Sequence, residues 1–416
     1  MSRRVSLAHS VAAFAFFMLA FVLGCRPAEA VRIGFLADLI SELGVGGRNG
    51  AELAVETLNA RGGARYELVV ADDRNDAGTA RSAVASFASR GAAFVVGPMT
   101  SAMAVAVVPE ANQRGIVLIS PTATTDELSG KDDFFFRTAA DAPAGARQLA
   151  DLLHDRGARS VVVLMDTANG AYSSSFGRAA AAEFVKLGGV ATELGYRSGN
   201  SLDFAGAMRR ADGRSPDAVI LVDSPSDAAI ATEHLRRVAP GVVIALSPWG
   251  ANMQFVQIGG RASEGAIAMQ AIDLDSPLPR MRDFIARYRA RFGDLPTTPA
   301  VQGYEAVMLG VDAMSRRGGA SLRATLAAAG RWDGLDGPFS LDAYGDAHRE
   351  LHLTVVRNGR FEALRPRPSG AVRSGPSAVP FASLLPGTLS NMPPLGDLYA
   401  PWRETRRATT TNPRVS

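Results

Sequence analysis

Residues 95 to 124 read VVGPMTSAMAVAVVPEANQRGIVLISPTAT, which sets two Ser/Thr-rich turns directly behind two short β-branched runs. Groups of this kind can hold an anion. Val95 and Val96 end the first run, Gly97 and Pro98 break it, and Thr100 with Ser101 opens a helix whose first N–H groups lack intrahelical acceptors. Ile116 to Ile119 forms the second run, and Ser120-Pro121-Thr122-Ala123-Thr124 follows it. Strand, turn, helix, strand, turn is one βαβ unit. Parallel neighbours bring their carboxyl-end turns to one sheet edge, where open α/β sheets take ligands. Taken singly, each hydroxyl is as well explained as a helix cap.

The elements that must position these turns form two series. VRIGFLA, YELVVA, AAFVVG and GIVLIS read as strands, with helices expected over 48–61, 76–90, 100–114 and 142–157. The pattern then restarts with strands at 160–165, 190–196, 218–222 and 242–247. Two βα series predict two parallel-sheet lobes with a ligand cleft between them. The 416 residues, 47% apolar and 20% charged, suit two globular lobes. A net charge of +3, spread over scattered arginines, gives no nucleic-acid patch.

At the N-terminus Arg3 and Arg4 precede an apolar stretch from Val11 to Gly24, short for a membrane span and suited to a signal peptide within residues 1–30. Two cleavage sites compete. Val22-Leu23-Gly24-Cys25 resembles a lipobox, in which Cys25 would carry a lipid anchor, the chain's sole membrane contact; Ala28-Glu29-Ala30 fits ordinary signal peptidase. Cys25 is the only cysteine, so it reads as an anchor in preference to a core thiol. Residues 366–416 form a Pro/Ser/Thr-rich tail, whose Phe381, Leu384, Leu385, Leu395, Tyr399 and Trp402 could pin it along one lobe.

The two turns resemble the Gly-Pro-x-x-Ser and Ile-Ser-Pro-x-x-Thr turns of the type I periplasmic binding proteins that serve branched-chain amino acid ABC transporters. Here they stand as Gly97 to Ser101 and Ile119 to Thr124. The likeness runs from Val31 to about Phe361, through GRNGAELAVETLNARGG (47–63), Asp72-Asp73, FIARYRARFGDLP (284–296), Tyr304-Glu305-Ala306 and GPFSLDAYGD (337–346). It implies a two-lobed α/β fold in which the chain crosses between lobes near Asp141, Ala268 and Leu351. Lobe 1 would comprise 31–141 with 269–350, and lobe 2 would comprise 142–268 with 351–365.

The resemblance also implies a site. Ser101 and Thr124 match positions whose hydroxyls hold a ligand carboxylate, with the amide of Thr122 adding a donor, and Tyr172 matches an aromatic that closes from the second lobe. Three positions depart from the family. Ser247-Pro248-Trp249-Gly250 puts Trp249 where relatives carry the Glu that neutralises a ligand ammonium, Leu43 stands where they often carry Tyr, and Ser224 replaces another Tyr. A buried ammonium without a counter-charge costs several kcal/mol. Trp249 therefore favours an aromatic or aliphatic group, unless Asp38 or, after it, Asp223 supplies the missing charge.

No nucleophile elbow, phosphate-binding loop or HExxH motif is present, and Gly44-Val45-Gly46-Gly47 lacks dinucleotide spacing, so neither an enzyme nor a cofactor is expected. His348 and His352 fall on a strand-like run and read as a surface pair, not a metal site; Asp72, Asp73 and Asp76 read as a strand end and a helix cap. The expectation is an exported solute-binding protein, periplasmic or lipid-anchored, that closes on a small carboxylate-bearing molecule and delivers it to an ABC permease. A hydrophobic-solute or lipid carrier on the same scaffold, or an envelope sensory or scaffold module, would be the alternative.

Overall fold

Short β-branched strands, apolar on both faces, require helices on both sides, and the computed structural model has this architecture. It describes residues 29–197 and 215–364; Cys25, the apolar leader before residue 29 and the 366–416 tail lie outside the described residues. β1 (Val31–Ala37), β2 (Tyr66–Asp72), β3 (Phe94–Val96), β4 (Leu118–Ser120) and β5 (Phe135–Arg137) form a parallel sheet ordered β2-β1-β3-β4-β5. Its helices are α1 (Glu42–Ala60), α2 (Ala77–Ser89) and α3 (Ser101–Arg114), capped by Ser41, Asp76 and Thr100, whose side chains accept N–H groups of the first turn. Asp76 thus caps a helix, and Asp73 accepts the Asn75 N–H at 2.8 Å.

After α4 (Ala142–Asp155), the strands β6 (Ser160–Asp166), β7 (Val190–Tyr196), β8 (Ala218–Val222), β9 (Val243–Leu246) and β10 (Ile267–Gln270) build a second sheet, served by α5 (Gly170–Lys186), α6 (Pro225–Val238) and α7 (Met253–Gly259). The chain then returns to the first sheet. α8 (Pro279–Phe292), α9 (Thr298–Arg316) and α10 (Leu322–Ala327) pack there, beside a small antiparallel sheet of β11 (Gly330–Asp333), β12 (Pro338–Leu341) and β13 (Ala347–His348). Finally β14 (His352–Arg357) and β15 (Arg360–Ala363) complete the second sheet, ordered β15-β14-β10-β9-β8-β6-β7. Phe35, Phe94 and Ile119 on one face of the first sheet meet Phe284, Tyr304 and Val307; on the other face Leu36, Val95 and Leu118 meet Val84, Phe87 and Val107.

One helix differs from expectation. α1 begins at Glu42, not at residue 48, and takes in Gly44, Gly46, Gly47 and Gly50. Glycines cost a helix about 1 kcal/mol each relative to alanine, which is why the sequence points to a helix start only after Gly47. Here they permit contact with α9. A Cβ on Gly50 would lie 1.9 Å from the Ala300 carbonyl oxygen, and one on Gly303 would lie 2.3 Å from that of Gly47.

The chain passes between the two sheets three times, after β5, after β10 and after β13. One buried cluster ties all three passages. The Arg349 guanidinium donates to Glu305 Oε2 at 2.5 Å, to Asp336 and, at 3.5 Å, to the Thr138 carbonyl; Asp336 also accepts the Asp273 N–H at 3.1 Å. His352 Nε2 lies 3.5 Å from Asp336 Oδ2. His348 is on the surface as expected, with its side chain 68% exposed, but His352 belongs to this cluster.

The hydrogen bond to Asp336 raises the His352 pKa above its ordinary value, against the opposing effect of burial. A histidine whose folded pKa is raised contributes stability that is present below its unfolded pKa and is lost as pH rises through the folded value. The melting temperature is therefore expected to fall as pH rises above about 6.5, the ordinary histidine value, and His352→Gln is expected to reduce that slope. Thermal denaturation of both proteins across this range is the check; equal slopes would remove His352 from the account.

Candidate functional site

β3 and β4 pair in parallel, with Val95 opposite Leu118 and Val96 opposite Ile119, so the two Ser/Thr turns leave the same sheet edge side by side. Hydroxyls then staple them together. Ser120 Oγ donates to the Pro98 carbonyl at 2.6 Å and accepts the Ala123 N–H at 3.0 Å, while the Thr122 hydroxyl donates to the Met99 carbonyl. Gly97 makes this approach possible, with φ at +113° and a virtual Cβ 2.2 Å from the Leu36 carbonyl oxygen. Ser101 Oγ accepts the Thr124 and Thr125 N–H groups at 3.1 and 3.2 Å, which leaves its own proton to donate. Arg137, 1% exposed, supports the second turn from below, donating to the Thr125 carbonyl at 2.9 Å and pairing with Asp346 at 2.7 Å.

These turns form one wall of a cavity of about 80 Å³ between the sheets. Ser101, Thr122, Thr124 and Leu43 line it from the first lobe, and Tyr172 and Trp249 from the second, their rings edge to face at 5.7 Å and 88°. Several polar atoms here await a partner. Thr124 Oγ1, the Tyr172 hydroxyl and Glu42 Oε1 are buried without a hydrogen bond, and the Thr122 N–H has no acceptor among the described residues. Burial pushes the Tyr172 phenol above its ordinary range, so it remains a neutral donor.

Three residues expected in the site lie elsewhere. Asp38 sits in the turn before α1, where its carboxylate accepts the Ile40 N–H at 3.3 Å, a local capping bond that keeps it out of the cavity. Asp223, just after β8, is fully buried but absent from the cavity wall, and burial raises its pKa well above the ordinary carboxylate value. Ser224 caps α6, accepting the Asp227 N–H at 3.2 Å.

Other residues were not anticipated. Glu42, the first residue of α1, lines the cavity, and its Oε2 accepts a hydrogen bond from Asn252 Nδ2 at 3.1 Å. Ser41 as an N-cap followed by an acidic residue is the sequence signal that could have located it. Asn169 lines the second lobe and accepts the Ala102 N–H of α3 at 3.3 Å. A third bond across the cleft, the Asp126 N–H to Ser175 Oγ at 3.1 Å, lies nearby. The lobes are thus in direct contact. Glu42 and Asp141 are the charged residues of the cavity wall, and no Lys, Arg or His among the described residues lines it.

A family profile described as periplasmic binding protein matches residues 30–360. The Leu/Ile/Val-binding protein homolog 3 of Brucella melitensis is 27% identical over 271 residues, covering 63% of this chain and 72% of that protein. Among solved structures, the branched-chain amino acid transporter substrate-binding protein LivJ of Streptococcus pneumoniae, in complex with isoleucine, is 25% identical with a TM-score of 0.70, over 80% of this chain and 98% of that one. A solute-binding protein of an ABC transporter from R. palustris, in complex with benzoate, is 21% identical with a TM-score of 0.72, over 81% and 96% of the two chains, and shares the fold.

Proposed function

We propose, on the premise that this chain belongs to the periplasmic binding protein family, that it captures a small carboxylate-bearing molecule outside the cytoplasm and passes it to an ABC permease. It is a binding protein and not an enzyme, as its relatives are. The observation that carries the ligand class is the convergence of spare donors on one wall: the Ser101 hydroxyl, the Thr122 N–H and the Thr124 hydroxyl, at the start of α3. A carboxylate accepting several such bonds beside a helix N-terminus is held by charge-assisted hydrogen bonds without a buried cation.

Tyr172 and Trp249 would close from the other lobe, and a ligand touching both walls favours the closed arrangement through its differential affinity. Leu43 and the Trp249 face supply the apolar contact. A cavity of about 80 Å³ is small for a sterol or acyl chain. Lobe boundaries near Asp141, Ala268 and Leu351, export through the N-terminal segment and lipidation at Cys25 belong to the same proposal.

The test is a thermal-shift screen of the purified protein against amino acids, aromatic and aliphatic carboxylates, amines and fatty acids. A ligand at ~100 times its dissociation constant stabilises a fold by about 2.7 kcal/mol. Carboxylate-bearing solutes are expected to raise the melting temperature. A response confined to fatty acids would overturn the proposal in favour of a lipid carrier.

A further inference from the structure

The cavity's charge does not match a simple acid. A ligand offering only a carboxylate would add a negative charge to a wall that already holds Glu42 and Asp141 and no basic side chain among the described residues. Asp141 is engaged as the cap of α4, accepting the Ala144 N–H at 3.0 Å. Glu42 is only half engaged. Its Oε2 takes the Asn252 bond, while Oε1 is buried in the cavity wall without a well-formed hydrogen bond, the Thr297 hydroxyl lying near enough to the carboxylate to lower its pKa. An acceptor buried without a donor is costly, and the cost is recovered when a ligand brings one.

We propose that Glu42 sets the charge of the ligand: its free oxygen receives a cationic N–H group of a molecule whose carboxylate sits on the Ser101–Thr124 wall, and Asn252 relays that contact to the second lobe. This deepens the carboxylate reading above and rests on it. The counter-charge that Trp249 removes from the second lobe is thereby restored from the first, by a residue on a different element. Because Asn252 is the cross-cleft partner, a cation that holds Glu42 in its ionised form strengthens the bond joining the lobes.

Protons report on the same contact. Burial raises the Glu42 pKa, opposed first by the Thr297 hydroxyl and then by the Asn252 hydrogen bond, so Glu42 holds a larger protonated fraction than an exposed glutamate does. A cation then binds with loss of the Glu42 proton to solvent. Among the titratable groups beside it, Tyr288 on α8 is a phenol that burial keeps protonated, and Asp141 lines the same cavity, so the Glu42→Gln variant is what separates the Glu42 proton from that of Asp141.

The experiment is isothermal titration of the full chain and its Glu42→Gln variant with two matched sets: leucine, 4-methylpentanoate and 3-methylbutylamine; phenylalanine, 3-phenylpropanoate and phenethylamine. In the unaltered protein the amino acid of one set is expected to bind at least about 100-fold more tightly than its des-amino acid, and Glu42→Gln to erase most of that ratio. Affinity for the amino acid should also rise as pH rises above about 4.5, the ordinary glutamate value, and this slope should flatten in the variant. Equal binding of amino acid and des-amino acid, or a ratio that survives in Glu42→Gln, would overturn the role of Glu42 and leave the carboxylate site standing. Binding of the amines alone would sink the carboxylate reading instead, and silence from every probe would sink both.

Discussion

Replacing Arg349 with methionine is expected to destabilise the protein by about 3–5 kcal/mol, the cost of breaking a buried charge cluster from one side. The Arg349 side chain is 3% exposed, Glu305 0% and Asp336 4%, so the two carboxylates left behind could not reach water. Burial acts to lower the Arg349 pKa, but the attraction of Glu305 and Asp336 outweighs it and holds the guanidinium above its ordinary range. Methionine retains most of the apolar stem, which separates loss of charge from loss of packing. Urea denaturation of both proteins measures the difference. A change below about 1 kcal/mol would mean that the cluster behaves like an exposed ion pair. Because Thr138, Asp273 and His352 also touch this cluster, the variant should loosen all three passages between the lobes together.

Ser101→Ala is expected to cost about 1.5–3 kcal/mol of affinity for an acid ligand, roughly 10- to 150-fold. The change removes the hydroxyl proton aimed at the carboxylate. It also strips the acceptor from the Thr124 and Thr125 N–H groups, so the second turn loses a staple. Titration with leucine or 3-phenylpropanoate, whichever binds, gives the number, and 3-methylbutylamine serves as the control that should not respond. An unchanged affinity for the acid would remove the Gly97–Ser101 turn from the site.

The strands were legible because each is a short β-branched run with punctuation at both ends; β1, β7 and β8 match their expected bounds. The Ser101 and Thr124 turns were legible for the same reason, since strand pairing alone brings consecutive strand ends together. Glu42 was hidden by its surroundings. The glycines that let α1 lie against Ala300 and Gly303 lower its helix propensity, and without a helix start at Ser41 nothing aims residue 42 at the cleft. Asp38 and Asp223 failed for the opposite reason. Each stands at a strand end, as a ligand-binding residue should, but one turns to a local backbone N–H and the other is buried outside the cavity wall. A strand end says which edge a residue occupies, and says nothing of where its side chain goes.

The threefold passage between the sheets governs how the molecule comes into being. Synthesis delivers the chain from its N-terminus, yet Phe35, Phe94 and Ile119 find their covering partners only in Phe284, Tyr304 and Val307. The second sheet likewise waits for β14 and β15 at the far end of the described chain. Neither half can seal its apolar interior before these later segments have been made. Such a topology lets both halves mature together once the chain has run as far as β14 and β15.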